Sequence, residues 1–137
     1  AYVDMMEAEP SIWPCRGRIS SGFGVRSIPY SSGYQFHNGV DVIGSYNTEI
    51  YATAAGEVVF TGYRGSFGNL IIVDHGYDYS THYAHLAGFA VNAGDIVTKG
   101  QVIGFMGASG RTTGTHVHYE VHYKGTPVNP ANYMNQQ

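Results

Sequence analysis

The chain has little charge, a single cysteine and no long hydrophobic run, and each shortage excludes a class of protein. Charged residues make up 12% of the 137 positions and leave a formal net charge of −3, against about 25% charged residues in an average domain. A nucleic-acid-binding protein needs a basic face, so this balance argues against that class. Cys15 alone cannot form an intramolecular disulfide or a cysteine-based zinc site. Without a run of roughly 18 apolar residues, no transmembrane helix is predicted.

Glycine and aromatic residues are abundant instead. There are 19 glycines, aromatic residues make up 14% of the chain, and twelve of them are tyrosines. Glycine suits tight turns and aromatic side chains favour strands, so the composition indicates many short β-strands. A hydrophobic content of 43% with a low net charge argues against disorder. The length predicts one domain.

The predicted domain bounds and strands follow from short apolar runs that are separated by glycine. We expect a tail or linker over 1–12, one domain over 13–133 and a C-terminal tail over 134–137. No window carries the apolar stripe of an amphipathic helix, and the spacing of the runs predicts an all-β protein with antiparallel sheets in a sandwich or barrel-like stack. The predicted strands are Arg18–Gly24, Val40–Ile43, Glu57–Tyr63, Asn69–Asp74, Ser80–Leu86, Val102–Met106 and Thr115–Tyr123.

The last predicted strand has two chemically different faces. Side chains alternate across a strand, so the valines and tyrosines at 117, 119, 121 and 123 share one face. The other face carries His116, His118, Glu120 and His122. We expect the first face in the core and the second at the floor of a site. We interpret Glu120 as a solvated or paired carboxylate. The same alternation predicts that His82 and His85 point to opposite sides of their strand.

Two patterns among the seven histidines have the residue types of a metal site: His37-x-x-x-Asp41 and His116-x-His118. A catalytic zinc site takes three imidazole or carboxylate ligands and leaves one position open. Four residues of extended strand span about 13 Å, so His37 and Asp41 converge only if the chain bends, which Gly39 permits. Either pattern alone is more often a set of solvated or hydrogen-bonded side chains than a metal site, whereas the two patterns together favour a metal site.

Three segments resemble the lysostaphin/LytM-type zinc metallopeptidases. They are His37-Asn-Gly-Val-Asp41, Thr81-His-Tyr-Ala-His-Leu86 and Gly114-Thr-His-Val-His118. Further matching segments, from Trp13-Pro14 to Pro127-Val-Asn-Pro130, extend the resemblance over nearly all of residues 13–130. The resemblance implies an antiparallel β fold, the duplicated hybrid motif, with a central groove and one Zn²⁺ per chain at its floor.

Carried over position by position, the resemblance implies that His37, Asp41 and His118 are metal ligands. His85 and His116 then correspond to two catalytic histidines that do not bind the metal, and which of them is the general base stays open. Two positions depart from the family pattern. Thr115 replaces a proline, which we expect to alter the rim of the groove, and Val117 replaces a leucine, which we expect to alter core packing.

The resemblance further implies a peptidoglycan endopeptidase that cleaves amide bonds in stem peptides or cross-bridges. The expected location is a bacterial cell envelope, periplasmic or secreted, and the expected state is a monomer. One alternative is a non-catalytic domain of the same fold that binds the wall or activates an amidase. A structural β domain with an adventitious metal is another. All five site positions are filled, which favours the enzyme.

Overall fold

The computed structural model describes residues 5–27, 34–112 and 114–135, and most of their regular structure is β-strand. One four-residue helix, α1, spans Met5–Ala8, and short 3-10 turns span Gly65–Phe67 and Pro130–Tyr133. The strands are β1 Arg18–Ser21, β2 Gly24–Ser27, β3 Tyr34–His37, β4 Val40–Ile43, β5 Glu49–Tyr51, β6 Gly56–Tyr63, β7 Asn69–Gly76, β8 Tyr79–Phe89, β9 Ile96–Val97, β10 Val102–Met106, β11 His116–Tyr123 and β12 Thr126–Val128.

The strands form one large antiparallel sheet and one small one. The large sheet runs β1-β4-β11-β8-β7-β6-β9, with β10 pairing both β8 and β5 and β12 pairing β11. Strands β2 and β3 form a separate two-stranded sheet. The predicted all-β, antiparallel class is therefore confirmed. Strand β11 lies between β4 and β8, which places the polar face of β11 between the strands that carry Asp41 and His85.

Of the seven predicted strands, two have the observed bounds, four differ from observed strands only at their ends, and one is wrong. Strands β4 and β10 have the predicted bounds, whereas the strand predicted over Arg18–Gly24 is divided between the two sheets. Strand β1, which pairs with β4, ends at Ser21. Strand β2 begins at Gly24, whose φ of 112° suits glycine. Strands β3, β5, β9 and β12, of two to four residues each, were not predicted.

The core lies beneath the apolar face of β11, as the alternating pattern predicts. Val117, Tyr119 and Val121 are fully buried. They pack with buried residues of the neighbouring strands, including Val40, Val42, Ile71, Val73, Leu86 and Met106. Cys15 is also part of this core, and burial raises the pKa of its thiol to about 12. The thiol is therefore a packing group.

A chain of hydrogen bonds between buried polar side chains crosses the interior. The Tyr119 hydroxyl donates to Thr53 Oγ1 at 2.7 Å, and the Thr53 amide donates to the Tyr83 hydroxyl at 3.1 Å. Thr81 Oγ1 donates to the same hydroxyl at 2.7 Å and lies 2.8 Å from His75 Nε2. Buried polar groups are costly unless paired, and here each of the five residues has a partner.

Residues near both predicted tails contact other parts of the described chain. Ala8 is fully buried, the Ser11 amide donates to the carbonyl of Thr53, and Trp13 Nε1 donates to the carbonyl of Met134 at 3.1 Å. The domain bounds at 13 and 133 stay predictions. Among the described residues, no helix has the length and apolar character needed to cross a membrane.

Candidate metal centre

His37 and Asp41 meet at the corner where β3 passes into β4. His37 is the last residue of β3, and Asp41 lies in β4 directly opposite His118 of β11. Gly39, expected to supply the bend, is needed for a different reason. Its φ lies outside the left-handed region, but a Cβ there would overlap the carbonyl oxygen of Tyr119. The absence of a side chain lets the corner pack tightly on β11.

Three potential ligand atoms converge at this corner. Asp41 Oδ1 lies 2.9 Å from His118 Nδ1 and 3.3 Å from His37 Nε2, and the two nitrogens are 3.3 Å apart. Ligands about 2.0–2.1 Å from a tetrahedral zinc ion are about 3.3 Å from one another. The triangle therefore has the size that a single zinc ion requires, and its donor types are those of catalytic zinc sites.

Hydrogen bonds on the far side of each ring select the nitrogen that faces Asp41. His37 Nδ1 lies 2.8 Å from the carbonyl oxygen of Gly22. A carbonyl only accepts hydrogen bonds, so Nδ1 carries the proton and Nε2 keeps its lone pair. His118 is held the opposite way, because its Nε2 donates to Glu120 Oε2 at 2.7 Å. In each ring the nitrogen that faces Asp41 is the one that can give up its proton to a bound cation, while the other nitrogen keeps its proton in the hydrogen bond.

His85 reaches the same site through an irregularity in β8. Its φ is +63°, and the pairing of β8 with β7 shifts between Tyr83 and Leu86, so β8 contains an extra residue there. Such a bulge interrupts the alternation of side chains. The expectation that His82 and His85 face opposite ways is therefore wrong. His82 stacks on His122 and His85 contacts His116, so both lie on the polar face of β11.

His85 and His116 stand side by side next to the three-atom corner. Their ring centroids are 4.9 Å apart, and His116 Nε2 is 3.7 Å from Asp41 Oδ1. Each ring holds Nδ1 near a carbonyl oxygen: Ser109 at 2.8 Å for His85, and Gly114 at 3.1 Å for His116. By the same reasoning Nδ1 of His85 is the donor. His116 Nδ1 also lies 3.0 Å from Thr112 Oγ1, whose own proton is donated to the Gly114 carbonyl, so this Nδ1 is a donor as well and Nε2 of each ring carries the lone pair.

The charges of the centre depend on burial and on these contacts. Burial opposes ionisation of Asp41, but hydrogen bonds with His118 and His37 outweigh it and hold the carboxyl pKa well below its usual value. Burial also disfavours the imidazolium form of His118, yet its hydrogen bonds to Asp41 and Glu120 raise its pKa to about 9. Burial lowers the pKa of His85, which favours its neutral form.

A groove of about 590 Å³ opens beside the centre. Its residues are Ser20, Ser21, Asp41, Ile43, Gly44, Gly114, Thr115 and His116. Thr115 lies on the wall of this groove and Val117 is fully buried, as expected for the two positions that depart from the family pattern. Asp41 and His116 therefore border the open space of this groove.

The sequence predicted the histidines and Asp41 of the site but not the groups that hold the second ring nitrogens of those histidines. Glu120 was interpreted as a paired or solvated carboxylate, and the structure makes it the buried partner of His118. Its position two residues after His118 on one strand face is the signal that could have identified this partner. The carbonyl of Ser109, which holds His85, has no such signal because every residue has a carbonyl group.

The fold and the centre together define a class: an antiparallel β protein with a His/Asp/His corner able to hold a divalent cation and with two further histidines beside it. A model of peptidase family M23 matches residues 35–130. That range is well over half of the chain and contains all five of these residues. The chain belongs to peptidase family M23.

Curated relatives include both peptidases and an activator. The chain is 42% identical over 113 residues to the DD-carboxypeptidase/endopeptidase Mpg of Neisseria meningitidis, covering 82% of this chain and 26% of that protein. It is 41% identical over 127 residues to the murein hydrolase activator NlpD of Escherichia coli, covering 91% of this chain and 31% of that protein. The chain thus spans about a quarter to a third of the length of these relatives.

Solved structures of peptidases have the same fold. A zinc-containing peptidase from Vibrio cholerae superposes with a TM-score of 0.83 at 33% identity, covering 88% of this chain and 39% of that one. The catalytic domain of lysostaphin from Staphylococcus simulans superposes with a TM-score of 0.76 at 27% identity, covering 85% of this chain and 91% of that one. The resemblance to lysostaphin-type peptidases is therefore confirmed.

Proposed function

We propose that this chain is a zinc-dependent endopeptidase that hydrolyses amide bonds in the stem peptides or cross-bridges of peptidoglycan. The observation that carries the proposal is the triangle of His37, Asp41 and His118, whose edges of 2.9 to 3.3 Å match a tetrahedral zinc site. These three side chains are the proposed ligands. The chemistry that a bound zinc ion supplies is Lewis acidity, which lowers the pKa of a water molecule and polarises a carbonyl group.

His85 and His116 are the proposed catalytic residues. Each is held by a carbonyl at Nδ1, so each offers Nε2 for proton transfer. One of the two, as a neutral imidazole, takes a proton from the attacking water at Nε2. The other, in its imidazolium form, stabilises the developing oxyanion or donates its Nε2 proton to the leaving amine. The two rings are 4.9 Å apart, so one proton donor and one proton acceptor fit beside the same amide bond.

The substrate class follows from the relatives and suits the groove. Mpg is described as a DD-carboxypeptidase/endopeptidase and ShyA of Vibrio cholerae as a peptidoglycan DD-endopeptidase, the latter 41% identical over 113 residues. Because the groove is open beside Asp41 and His116, it suits an extended peptide. With a wall substrate, the proposed location is a bacterial cell envelope, periplasmic or secreted, and the proposed state is a monomer.

The second candidate is a domain that activates a wall hydrolase without cleaving the wall itself. The observation in its favour is the 41% identity to NlpD, a murein hydrolase activator. The filled positions His37, Asp41, His85, His116 and His118 favour the enzyme, because binding or activation alone requires neither a complete ligand triangle nor two proton-transfer groups.

Digestion of purified, cross-linked peptidoglycan separates the two candidates. The zinc-loaded protein should release fragments with new amine termini, and mass spectrometry of those fragments identifies the cleaved bond. Chelator-treated protein should release none, and readdition of zinc should restore cleavage. Zinc-loaded protein that leaves walls from several bacteria intact, but stimulates an added amidase, would establish the activator.

A further inference from the structure

A second group of titratable side chains lies on the polar face of β11, beyond His118. It consists of Glu120, His122 and His82, and Glu120 is directly opposite His82 in the pairing of β11 with β8. Glu120 is only 4% exposed. A carboxylate this deeply buried requires partners, and the identity of those partners indicates its role.

Both oxygens of Glu120 are held by imidazole nitrogens. Oε2 accepts from His118 Nε2 at 2.7 Å, and Oε1 accepts from His122 Nε2 at 2.7 Å. Such short contacts between a carboxylate and an imidazole N–H are strong hydrogen bonds. The carboxylate is therefore fixed from two sides, and its orientation does not depend on His118 alone.

The stacking of the two outer histidines argues against a second cation in this group. The rings of His82 and His122 have centroids 4.2 Å apart and an interplanar angle of 4°. An imidazole binds a cation in the plane of its ring, along the nitrogen lone pair. Two nearly parallel planes at that separation share no such point. The hydrogen bond to Glu120 moreover occupies Nε2 of His122.

The remaining consequence concerns His118. This residue can offer an unprotonated Nδ1 to a cation held with Asp41 and His37 only when the remaining ring proton lies on Nε2. A neutral imidazole in water exchanges between its two tautomers and rotates about its side-chain bonds. A fixed carboxylate at Nε2 removes both freedoms and makes Nδ1 a stronger electron donor, as partners of metal-binding histidines do in general.

We propose that Glu120 is a positioning residue of the metal centre: held at its second oxygen by His122, it fixes the ring and the tautomer of His118 so that Nδ1 faces His37 and Asp41. His122 does not contact His118 in this role; it holds the carboxylate of Glu120 in place, and Glu120 in turn orients His118. The inference rests on the proposed function, because it takes His118 as a metal ligand. It is tested by metal affinity in the absence of substrate.

The first experiment compares zinc affinities of metal-stripped wild-type chain and Glu120→Gln by competition with a chromophoric chelator. Loss of a partner of this kind weakens metal binding about 10- to 100-fold, and we expect that range here. The visible absorption spectrum of the Co²⁺-loaded protein should change as well, because the ligand field of His118 changes. Glu57→Gln is the matched control, since Glu57 is exposed on β6, and should retain wild-type affinity.

The second experiment removes the hydrogen bond of His122 and restores it. His122→Phe keeps a flat ring that can stack on His82 but has no N–H donor, so Glu120 loses one of its two supports. We expect weaker zinc binding than in the wild type, by a smaller factor than for Glu120→Gln. His122→Gln supplies an N–H donor again and should recover most of the affinity, which a purely packing role of His122 would not explain.

Two results would overturn the inference. One is a folded Glu120→Gln variant with wild-type zinc affinity and an unchanged Co²⁺ spectrum. If that variant does not fold, equal zinc affinities of His122→Phe, His122→Gln and wild type overturn it instead. Failure of the proposed function is distinguishable, because a wild-type chain that binds one zinc ion but leaves peptidoglycan intact refutes the enzyme and not the positioning role. A wild-type chain that binds no zinc refutes both.

Discussion

His37, His116 and His118 each hold one ring nitrogen in a hydrogen bond and turn the other toward Asp41. The distances from those nitrogens to Asp41 Oδ1 are 3.3, 3.7 and 2.9 Å. The two shorter ones belong to the proposed ligands, and the longest belongs to a proposed proton-transfer residue. Chemically identical side chains thus acquire different roles from differences of less than one ångström and from the partners of their second nitrogens.

Alanine substitutions should separate metal binding from turnover. His118→Ala removes a corner of the ligand triangle, so we expect loss of bound zinc. His85→Ala leaves the triangle intact, so we expect wild-type zinc content with about 10²- to 10⁴-fold slower cleavage, the usual contribution of a general acid or base. Metal analysis of both variants and a peptidoglycan digestion test this division. Equal loss of zinc in the two variants would contradict it.

His82 should make the stability of the metal-free protein depend on pH. Burial and the neighbouring His122 lower the pKa of His82 from 6.5 to about 4. Between these values the unfolded chain takes up a proton at His82 that the folded chain does not, so the contribution of His82 to stability is complete above pH 6.5 and is lost as the pH drops toward 4. His75 and His85, whose pKa values burial also lowers, change stability in the same direction.

Urea unfolding at pH 7 and pH 5 in the presence of a chelator measures this effect. His82→Gln should lose less stability between the two pH values than the wild type, because one of the titrating groups has been removed. An identical loss in both proteins would show that His82 is not a source of the pH dependence.

Two irregular elements, more than the regular strands, build the site. The bulge in β8 turns His85 toward His116, and the corner between β3 and β4 brings His37 to Asp41. An ideal strand would turn His85 to the opposite face of the sheet. The regular strands contribute the frame, since β4 and β11 place Asp41 directly opposite His118.

Gly39→Ala should destabilise both the corner and the metal site. The new methyl group would overlap the backbone carbonyl of Tyr119, which cannot move aside without shifting β11. We expect a loss of about 1–3 kcal/mol in the free energy of unfolding and weaker zinc binding, measured by urea unfolding and chelator competition.

Gly88→Ala is the matched control for this substitution. Gly88 lies in β8, and a Cβ there would meet no atom within 4 Å, so the change in stability should stay within about 0.5 kcal/mol. Equal stability losses in the two variants would contradict the proposed close packing at Gly39.

At the scale of the whole molecule, strand pairing brings together residues that are far apart in the chain, and a buried hydrogen-bond chain lies on the other side of the same strands. Asp41 and His118 are separated by 77 positions, and the antiparallel pairing of β4 with β11 makes them neighbours. On the opposite side of the sheet, Tyr119 and Tyr83 belong to the buried hydrogen-bond chain through Thr53. The same strands therefore carry the site on one face and the polar network on the other.

Tyr83→Phe should destabilise the whole fold. The substitution leaves the amide of Thr53 and the hydroxyl of Thr81 without the oxygen that they contact at 3.1 and 2.7 Å. The Thr81 hydroxyl still has His75 Nε2 at 2.8 Å, but the buried Thr53 amide is left without an acceptor, which costs about 1–3 kcal/mol; urea unfolding should show a loss of that size. Tyr63→Phe is the control, because Tyr63 is 66% exposed. A Tyr83→Phe variant as stable as the control would contradict the importance of the network.

The sequence alone determined the class of fold, the two faces of β11 and the residue types of the site. Alternation along residues 117–123 is a local property, and glycine content with short apolar runs is a property of composition. Both follow from backbone geometry that every strand shares, so they can be read without coordinates. The family resemblance added the candidate residues His37, Asp41, His85, His116 and His118.

Only the tertiary structure decided where those side chains point. His85 was placed by a bulge that alternation does not predict, and the role of Gly39 came from contact with β11, which is distant in the chain. Glu120 became the partner of His118 because both are buried on one strand face. Contacts of this kind depend on the register between strands and on backbone irregularities, and these are set by packing of the whole sheet, which a local pattern does not record.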